Sequence, residues 1–254
     1  MIEASVIDVF ERDGAAKVPG LLSDEWIESL RDAMPSILER TYDPTERMTG
    51  EGTGRVRSRD GIWRDCEAFA RFLFHSPVGD LASTVMRSGT ARVYEDLLLY
   101  KEAGAGGQSG WHRDAPHWPL TGHQMASIWF SLESVGSDTG AMRFVLGSHL
   151  DDDVVVAKSI TAGDAELGSR PVITLEADPG DVVVFHPRAL HTAYGSAPDR
   201  PRRTFTLRFL GDDVRWRPRR SMFHGWMAHC GLEKGDVLDH PWFPVVGRSV
   251  EAAG

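Results

Sequence analysis

The feature that most constrains what this chain can fold into is a two-residue alternation carried by two short runs. In Thr204-Phe205-Thr206-Leu207-Arg208-Phe209, the apolar Phe205, Leu207 and Phe209 alternate with polar residues. In Met125-Ala126-Ser127-Ile128-Trp129-Phe130-Ser131-Leu132, Ile128, Phe130 and Leu132 form one set, and Ser127, Trp129 and Ser131 the other. A period of two belongs to strands that pack one face on a core. The other face, bearing serines and a tryptophan, suits either the wall of a polar cavity or a solvent-facing edge.

Further strand signals surround these runs. Val93-Tyr94-Glu95-Asp96-Leu97-Leu98-Leu99-Tyr100 is an apolar stretch of strand length. Asp178-Pro179-Gly180-Asp181 is a strong turn signal, and the β-branched Val182-Val183-Val184-Phe185 follows it. The front of the chain has a different period. Ser23, followed by Asp24 and Glu25, predicts a helix start, and Ile27, Leu30, Met34, Ile37 and Leu38 recur at helical spacing. Ser76-Pro77 predicts a second start. Between them, residues 49–61 are rich in Gly, Arg and Asp and read as a mobile loop. Helices first, then strands about every ten residues, predict an α+β, mainly β domain built on a sandwich or barrel. A length of 254 residues suits one such domain.

Composition narrows the classes. No apolar run approaches a membrane span, and Met1-Ile2-Glu3-Ala4-Ser5 lacks the basic start of a secretory signal. Cys66 and Cys230 are too few for a disulfide framework or a thiolate metal site. A cytoplasmic protein is the expectation, and a net charge of −9 argues against a nucleic-acid partner. The expected partner is a small-molecule substrate, with the chain a monomer or homodimer.

Chemistry concentrates at three residues. His112 and Asp114 form a His-x-Asp word, and His191 follows at a distance. Two His and one carboxylate are the facial triad that holds non-haem Fe(II) and leaves coordination positions open. The word is weak alone, since a chain with ten His holds roughly one by chance. A second copy is present here, His149-Leu150-Asp151. Context separates them. The first follows a strand-like run and a Gly-rich loop, and in extended chain an i, i+2 pair points to one side. The second reads as a turn leading into a solvated acidic loop, Asp151-Asp152-Asp153. His191 lies after Val182-Val183-Val184-Phe185 and a break at Pro187. For it, a His satisfied by a backbone group is the competing reading.

The parity of the 204–209 run extends upstream. Arg202 shares a face with Thr204 and Thr206, whereas Arg203 points away. A buried Arg is costly unless an anion pairs with it. Arg202, with Thr204 as helper, is therefore the candidate anchor for the distal carboxylate of a dicarboxylate.

Read in order, these words resemble the phytanoyl-CoA dioxygenase (PhyH) family of Fe(II)/2-oxoglutarate-dependent oxygenases. The resemblance runs from Asp13-Gly14 and Val18-Pro19-Gly20-Leu21-Leu22 through Lys101, Trp111-His112-Arg113-Asp114 and Trp129. It continues through Gly140-Ala141-Met142-Arg143-Phe144 and His191 to Arg202, eleven residues beyond the second His. It implies a double-stranded β-helix (jelly-roll) core over about 91–211, with N-terminal helices over about 1–90 packed on the major sheet. A tail over about 212–254 would lie near the mouth. His112, Asp114 and His191 would bind Fe(II), Arg202 and Thr204 would hold 2-oxoglutarate, and Trp129 would line its site. With O₂ as second cosubstrate, oxidative decarboxylation of 2-oxoglutarate would be coupled to hydroxylation of a substrate. The chain departs from the family pattern at Arg113, where Gln is usual, and at Thr192-Ala193, where Gly-Ser is usual.

The substrate is approached through what flanks the ligands. Trp111, Arg113, His117 and Trp118 are candidate substrate contacts, and His224, Trp226, His229, His240 and Trp242 could close over the mouth. Arg113 and the arginines at 215, 217, 219 and 220 suggest a small anionic substrate. Two other classes stay open: a 2-oxoglutarate-independent metal enzyme of cupin or zinc-hydrolase type, and a non-catalytic jelly-roll binding module.

Overall fold

A computed structural model describes residues 2–42, 54–105, 109–151, 167, 169–193, 195, 197, 199–218 and 230–248. Four helices form the front: α1 (Ala4–Asp13), α2 (Asp24–Leu38), α3 (Glu67–His75) and α4 (Val78–Val85). α2 buries Ile27, Leu30, Met34 and Ile37, as its periodicity predicts. Ser23 occupies its N-cap, but the hydroxyl makes no capping bond. The helix start therefore rests on Asp24 and Glu25 against the dipole and on burial of the apolar face. α4 begins directly after Pro77.

Strands β1 (Ala15–Val18), β2 (Val56–Asp60), β3 (Thr90–Lys101), β4 (Ser109–His112), β5 (Leu120–Thr121) and β6 (Met125–Ser131) precede β7 (Met142–Val145) and β8 (Val172–Leu175). After them come β9 (Val182–Phe185), β10 (His191–Ala193), β11 (Arg202–Leu210), β12 (Arg215–Trp216) and β13 (Val245–Arg248). The major sheet runs β1-β9-β6-β11-β3-β13, with β2 also pairing β3, and the minor sheet runs β4-β10-β7-β8. All these pairings are antiparallel. Trp129, Val183 and Phe185 of the major sheet share one apolar cluster with Met142 and Phe144 of the minor sheet. The two sheets therefore pack face to face as a jelly-roll.

Alternation assigns each face of the major sheet. Ile128, Phe130, Leu132, Phe205, Leu207 and Phe209 all belong to the cluster that holds the helices. Phe69 and Phe72 of α3 meet Phe205 and Phe130 at 5.2 and 5.3 Å between ring centroids. Each such side chain contributes about 1.5–3 kcal/mol by leaving water. The opposite face carries Ser127, Trp129 and Ser131 of β6 beside Arg208, Thr206 and Thr204 of β11. All three β6 residues are buried, so this face is an interior wall and not a solvent edge.

The stretch 49–61 is corrected by the structure. Residues 49–53 lie outside the described residues, but 56–60 form β2 against β3. Charge hides this strand in the sequence, because Arg59 is buried with its guanidinium donating to Ile37 O and Asp65. The tail is in part a strand of the fold, since β13 extends the major sheet along β3. No helix among the described residues is long and apolar enough to cross a membrane.

Candidate metal centre

The two histidines meet because their strands are neighbours. β10 pairs β4 with His191 opposite His112, and β7 lies on its other side with Phe144 opposite His191. The imidazole centroids are 4.2 Å apart. β4 ends at His112, and Asp114 has helical backbone angles at the start of the 3₁₀ turn Ala115–His117. This corrects the extended i, i+2 picture: a turn, fixed by Asp114 N–H and Ala115 N–H donating to Pro187 O, brings the carboxylate round. One ligand atom from each of His112, Asp114 and His191 then lies within 4.8 Å of the others. The nearest approach of Asp114 Oδ1 to His112 Nε2 is 3.6 Å.

The donor set suits a cation. His112 Nδ1 lies 2.7 Å from Gly110 O, and His191 Nδ1 lies 3.0 Å from Ala189 O. A carbonyl only accepts, so each Nδ1 carries a proton, and each Nε2 is the ring nitrogen left to face a ligand. Burial, together with neighbouring His112, pushes the His191 pKa down to about 4, so the ring is neutral. Burial pushes Asp114 up, but Arg208, His191 and His112 outweigh it and hold the carboxyl well below the usual carboxylate range. Two imidazole nitrogens and one carboxylate fit a divalent cation and, as a facial set, leave one side open.

The rival word serves packing. His149 is buried, its Nε2 3.1 Å from Glu11 O, in the turn after Gly147. Asp151 is not a free loop residue, because it pairs with Arg113 and Arg170, each at 2.7 Å. Asp152 and Asp153 lie outside the described residues.

Arg202 and Arg203 show what parity does. Arg203, pointing out, pairs with Glu133 through both its backbone N–H and its guanidinium. Arg202 points in and is only 2% exposed. It donates to Gly140 O, but its Nε–H has no partner, and no carboxylate contacts it among the described residues. Burial lowers its pKa to about 10, only partly offset by Glu133. Gly140 permits this placement, since a Cβ there would run into the Arg202 guanidinium. Lys101 is the Cα partner of Arg202 on β3 and is fully buried; burial and then Arg202 lower its pKa to about 7. Thr204 Oγ1 donates to Leu99 O. Trp129 is buried on the same inner face, beside Thr206. A buried guanidinium with an orphaned N–H, beside a buried amine, could receive an anion.

The remaining candidates are dispersed. Trp111 points to the opposite side of β4 from His112, into a cluster with Val145 and Leu190, with Arg143 over its ring. Arg113 is spent on Arg188 O, Ser148 O and Asp151. His117 donates its backbone N–H to Asp114 O, and Trp118 lies buried under the guanidinium of Arg208. In the tail, His240 packs on Trp242 and Phe243, while His224, Trp226 and His229 lie outside the described residues. The arginine stretch is similarly divided: Arg215 binds Asp212 O and Val214 O, Arg217 is exposed, and Arg219 and Arg220 lie outside the described residues. Arg208 is the residue that sequence reasoning passed over. It grips Asp114 Oδ2 with Nε at 3.2 Å and Nη2 at 3.0 Å, and its Nη1 donates to Glu95. Its signal was present, since it shares the inward parity of Arg202, Thr204 and Thr206.

Comparison with known proteins agrees with this arrangement. Residues 10–204 match the phytanoyl-CoA dioxygenase (PhyH) family. The chain is 26% identical over 126 residues to the dioxygenase lolE1 of Epichloe uncinata, covering 46% of this chain and 48% of that protein. It is also 26% identical over 124 residues to the ectoine dioxygenase of Stutzerimonas stutzeri (strain A1501), covering 47% and 40%. The chain thus spans about half the length of these curated relatives or less. Its fold is shared with SnoN, the non-haem α-ketoglutarate-dependent epimerase of nogalamycin biosynthesis, at a TM-score of 0.81 and 23% identity over 96% of this chain and 95% of that one. The chain belongs to the phytanoyl-CoA dioxygenase family of Fe(II)/2-oxoglutarate-dependent oxygenases.

Proposed function

We infer that this chain couples oxidative decarboxylation of 2-oxoglutarate to oxidation, most simply hydroxylation, of a small organic substrate. One observation carries the reading: a two-His-one-carboxylate set and a buried arginine that has no counter-ion among the described residues belong to the same sandwich interior. His112, Asp114 and His191 would hold Fe(II), with the distal carboxylate of 2-oxoglutarate on Arg202 and Lys101. Thr204 and Trp129 would line that pocket. Bound Fe(II) supplies the open positions for 2-oxoglutarate and O₂ and the redox chemistry that joins their turnover to the substrate. The chain supplies orientation and dryness. The Nδ1–carbonyl bonds fix both rings, Arg208 fixes the carboxylate, and Trp129 with Val183, Phe144 and Phe185 excludes water from the interior.

An anionic substrate has less support than the sequence suggests, because Arg113 and Arg215 are internally engaged. Exposed Arg217 remains available for it. A screen for Fe(II)-dependent succinate release across carboxylates, phosphonates, quaternary amines and acyl-CoAs tests the reading. Succinate is the right signal because a fold neighbour is an epimerase, whose product need gain no hydroxyl. We expect at least one substrate class to stimulate succinate release, and Asp114→Ala to abolish it. Release that is indifferent to Asp114→Ala and Arg202→Ala would defeat the reading.

A further inference from the structure

Among the described residues, Arg208 is the one side chain that bonds directly to a member of the ligand set from the other sheet. It rises from β11, is 13% exposed, and sits between two carboxylates, Asp114 and Glu95. Trp118 forms its floor, with the guanidinium carbon 5.7 Å from the ring centroid. Two of its N–H groups converge on a single oxygen, Asp114 Oδ2, and leave Oδ1 on the side of His112 Nε2. Its third direction is taken by Glu95. Glu95 and Arg208 are direct Cα partners across β3 and β11, so backbone register fixes this contact.

We propose that Arg208 is a positioning residue that restricts Asp114 to one ligating oxygen, with Glu95 holding the guanidinium in place. The inference rests on the metal site proposed above and adds a residue to it. A carboxylate with both oxygens free can close on a cation through both, which fills a position that 2-oxoglutarate or O₂ needs. An arginine fork occupying Oδ2 blocks that mode. Glu95 also balances charge. Asp114, Glu95 and Arg208 together carry a single negative charge, so the fork is neutralised by Glu95 and not by the ligand.

The test loads apo protein with Co(II) under nitrogen and reads its visible d–d spectrum, its Co(II) affinity and its 2-oxoglutarate affinity, alongside Tm. Arg208→Gln should bind Co(II) within about threefold of wild type, because a second carboxylate oxygen replaces the lost order. Its d–d spectrum should change, and its 2-oxoglutarate affinity should fall about tenfold. Glu95→Gln keeps the fork but leaves its charge on Asp114, and should weaken Co(II) binding about tenfold without the spectral change. If Arg208→Gln does not fold, Arg208→Lys decides, since one ammonium cannot reproduce the fork and should give the same spectral change. A wild-type spectrum in the folded Arg208 variant overturns the proposal. So does a parallel loss of Co(II) and 2-oxoglutarate binding that tracks a lowered Tm, which marks a merely structural residue. Failure of wild-type Co(II) protein to respond to 2-oxoglutarate would instead count against the proposed function, and the Co(II) spectra alone would still decide the role of Arg208.

Discussion

Arg202 and Arg203 are adjacent in sequence and differ in every physical respect that matters. Arg203 has Glu133, while among the described residues Arg202 has a carbonyl and an orphaned N–H in the buried interior. A buried cation without an anion destabilises a fold. Arg202→Met should therefore leave Tm unchanged or raised in the absence of cosubstrate, while costing 2-oxoglutarate binding about 1.5–3 kcal/mol, ten- to a hundredfold in affinity. Thermal melts and calorimetric titration check the two halves, and a large drop in Tm would contradict the first. Lys101 gives a pH signature. Its folded pKa of about 7 lies below its ordinary 10.5, so between those values the unfolded chain binds more protons. That contribution therefore makes the protein without cosubstrate gain stability as pH rises from about 7 to 10.5. A carboxylate placed beside Lys101 restores its charge, so 2-oxoglutarate binding at pH 8 should take up protons. Titrations in two buffers of different ionisation enthalpy would show this, and buffer-independent heats would contradict it.

Among the elements, β11 does most to build the site. Its inward residues run from Arg202, paired with Lys101, through Thr204 and Thr206 to Arg208, which binds Asp114, and its outward phenylalanines anchor the helices. This much was legible in the sequence, because parity is a local property that one misplaced residue would invert. Asp114 was legible as a companion of the two histidines but not in its geometry, since a turn held by Pro187 O depends on a chain segment far away in sequence. Strand β2 escaped notice because its charged residues find partners that only the fold supplies. The turn before β7 is tested through Gly140, whose φ of +115° and contact with Arg202 both exclude a side chain. Gly140→Ala should cost about 1–3 kcal/mol of stability and displace Arg202. Loss of 2-oxoglutarate binding with Co(II) binding retained is the expected result. Unaltered cosubstrate affinity would show that Arg202 does not depend on this turn.

At the scale of the whole molecule, the site divides its labour between sheets. The minor sheet and the turn after β4 supply His112, Asp114 and His191, and the major sheet supplies Arg202 and Lys101. A cosubstrate reaching from a metal on the triad to Arg202 would therefore tie the two sheets together. Metal and 2-oxoglutarate added together should raise Tm by more than the sum of their separate effects, as a melt series with Co(II) would show; strict additivity would contradict the bridging arrangement. The sandwich-or-barrel class and its helical front followed from periodicity and element order, and the family, with the jelly-roll it implies, from short words in the right order. The partners of Arg113 did not, because a guanidinium held by Arg188 O, Ser148 O and Asp151 looks in sequence like one free for a substrate. The proposed function requires the triad and Arg202 to receive Fe(II) and 2-oxoglutarate together. Its most direct test is the visible absorption of the protein with Fe(II) and 2-oxoglutarate under strict exclusion of oxygen. A metal-to-ligand charge-transfer band that saturates with 2-oxoglutarate, and is lost in His191→Ala, is the predicted result; protein that binds Fe(II) yet develops no band would contradict it.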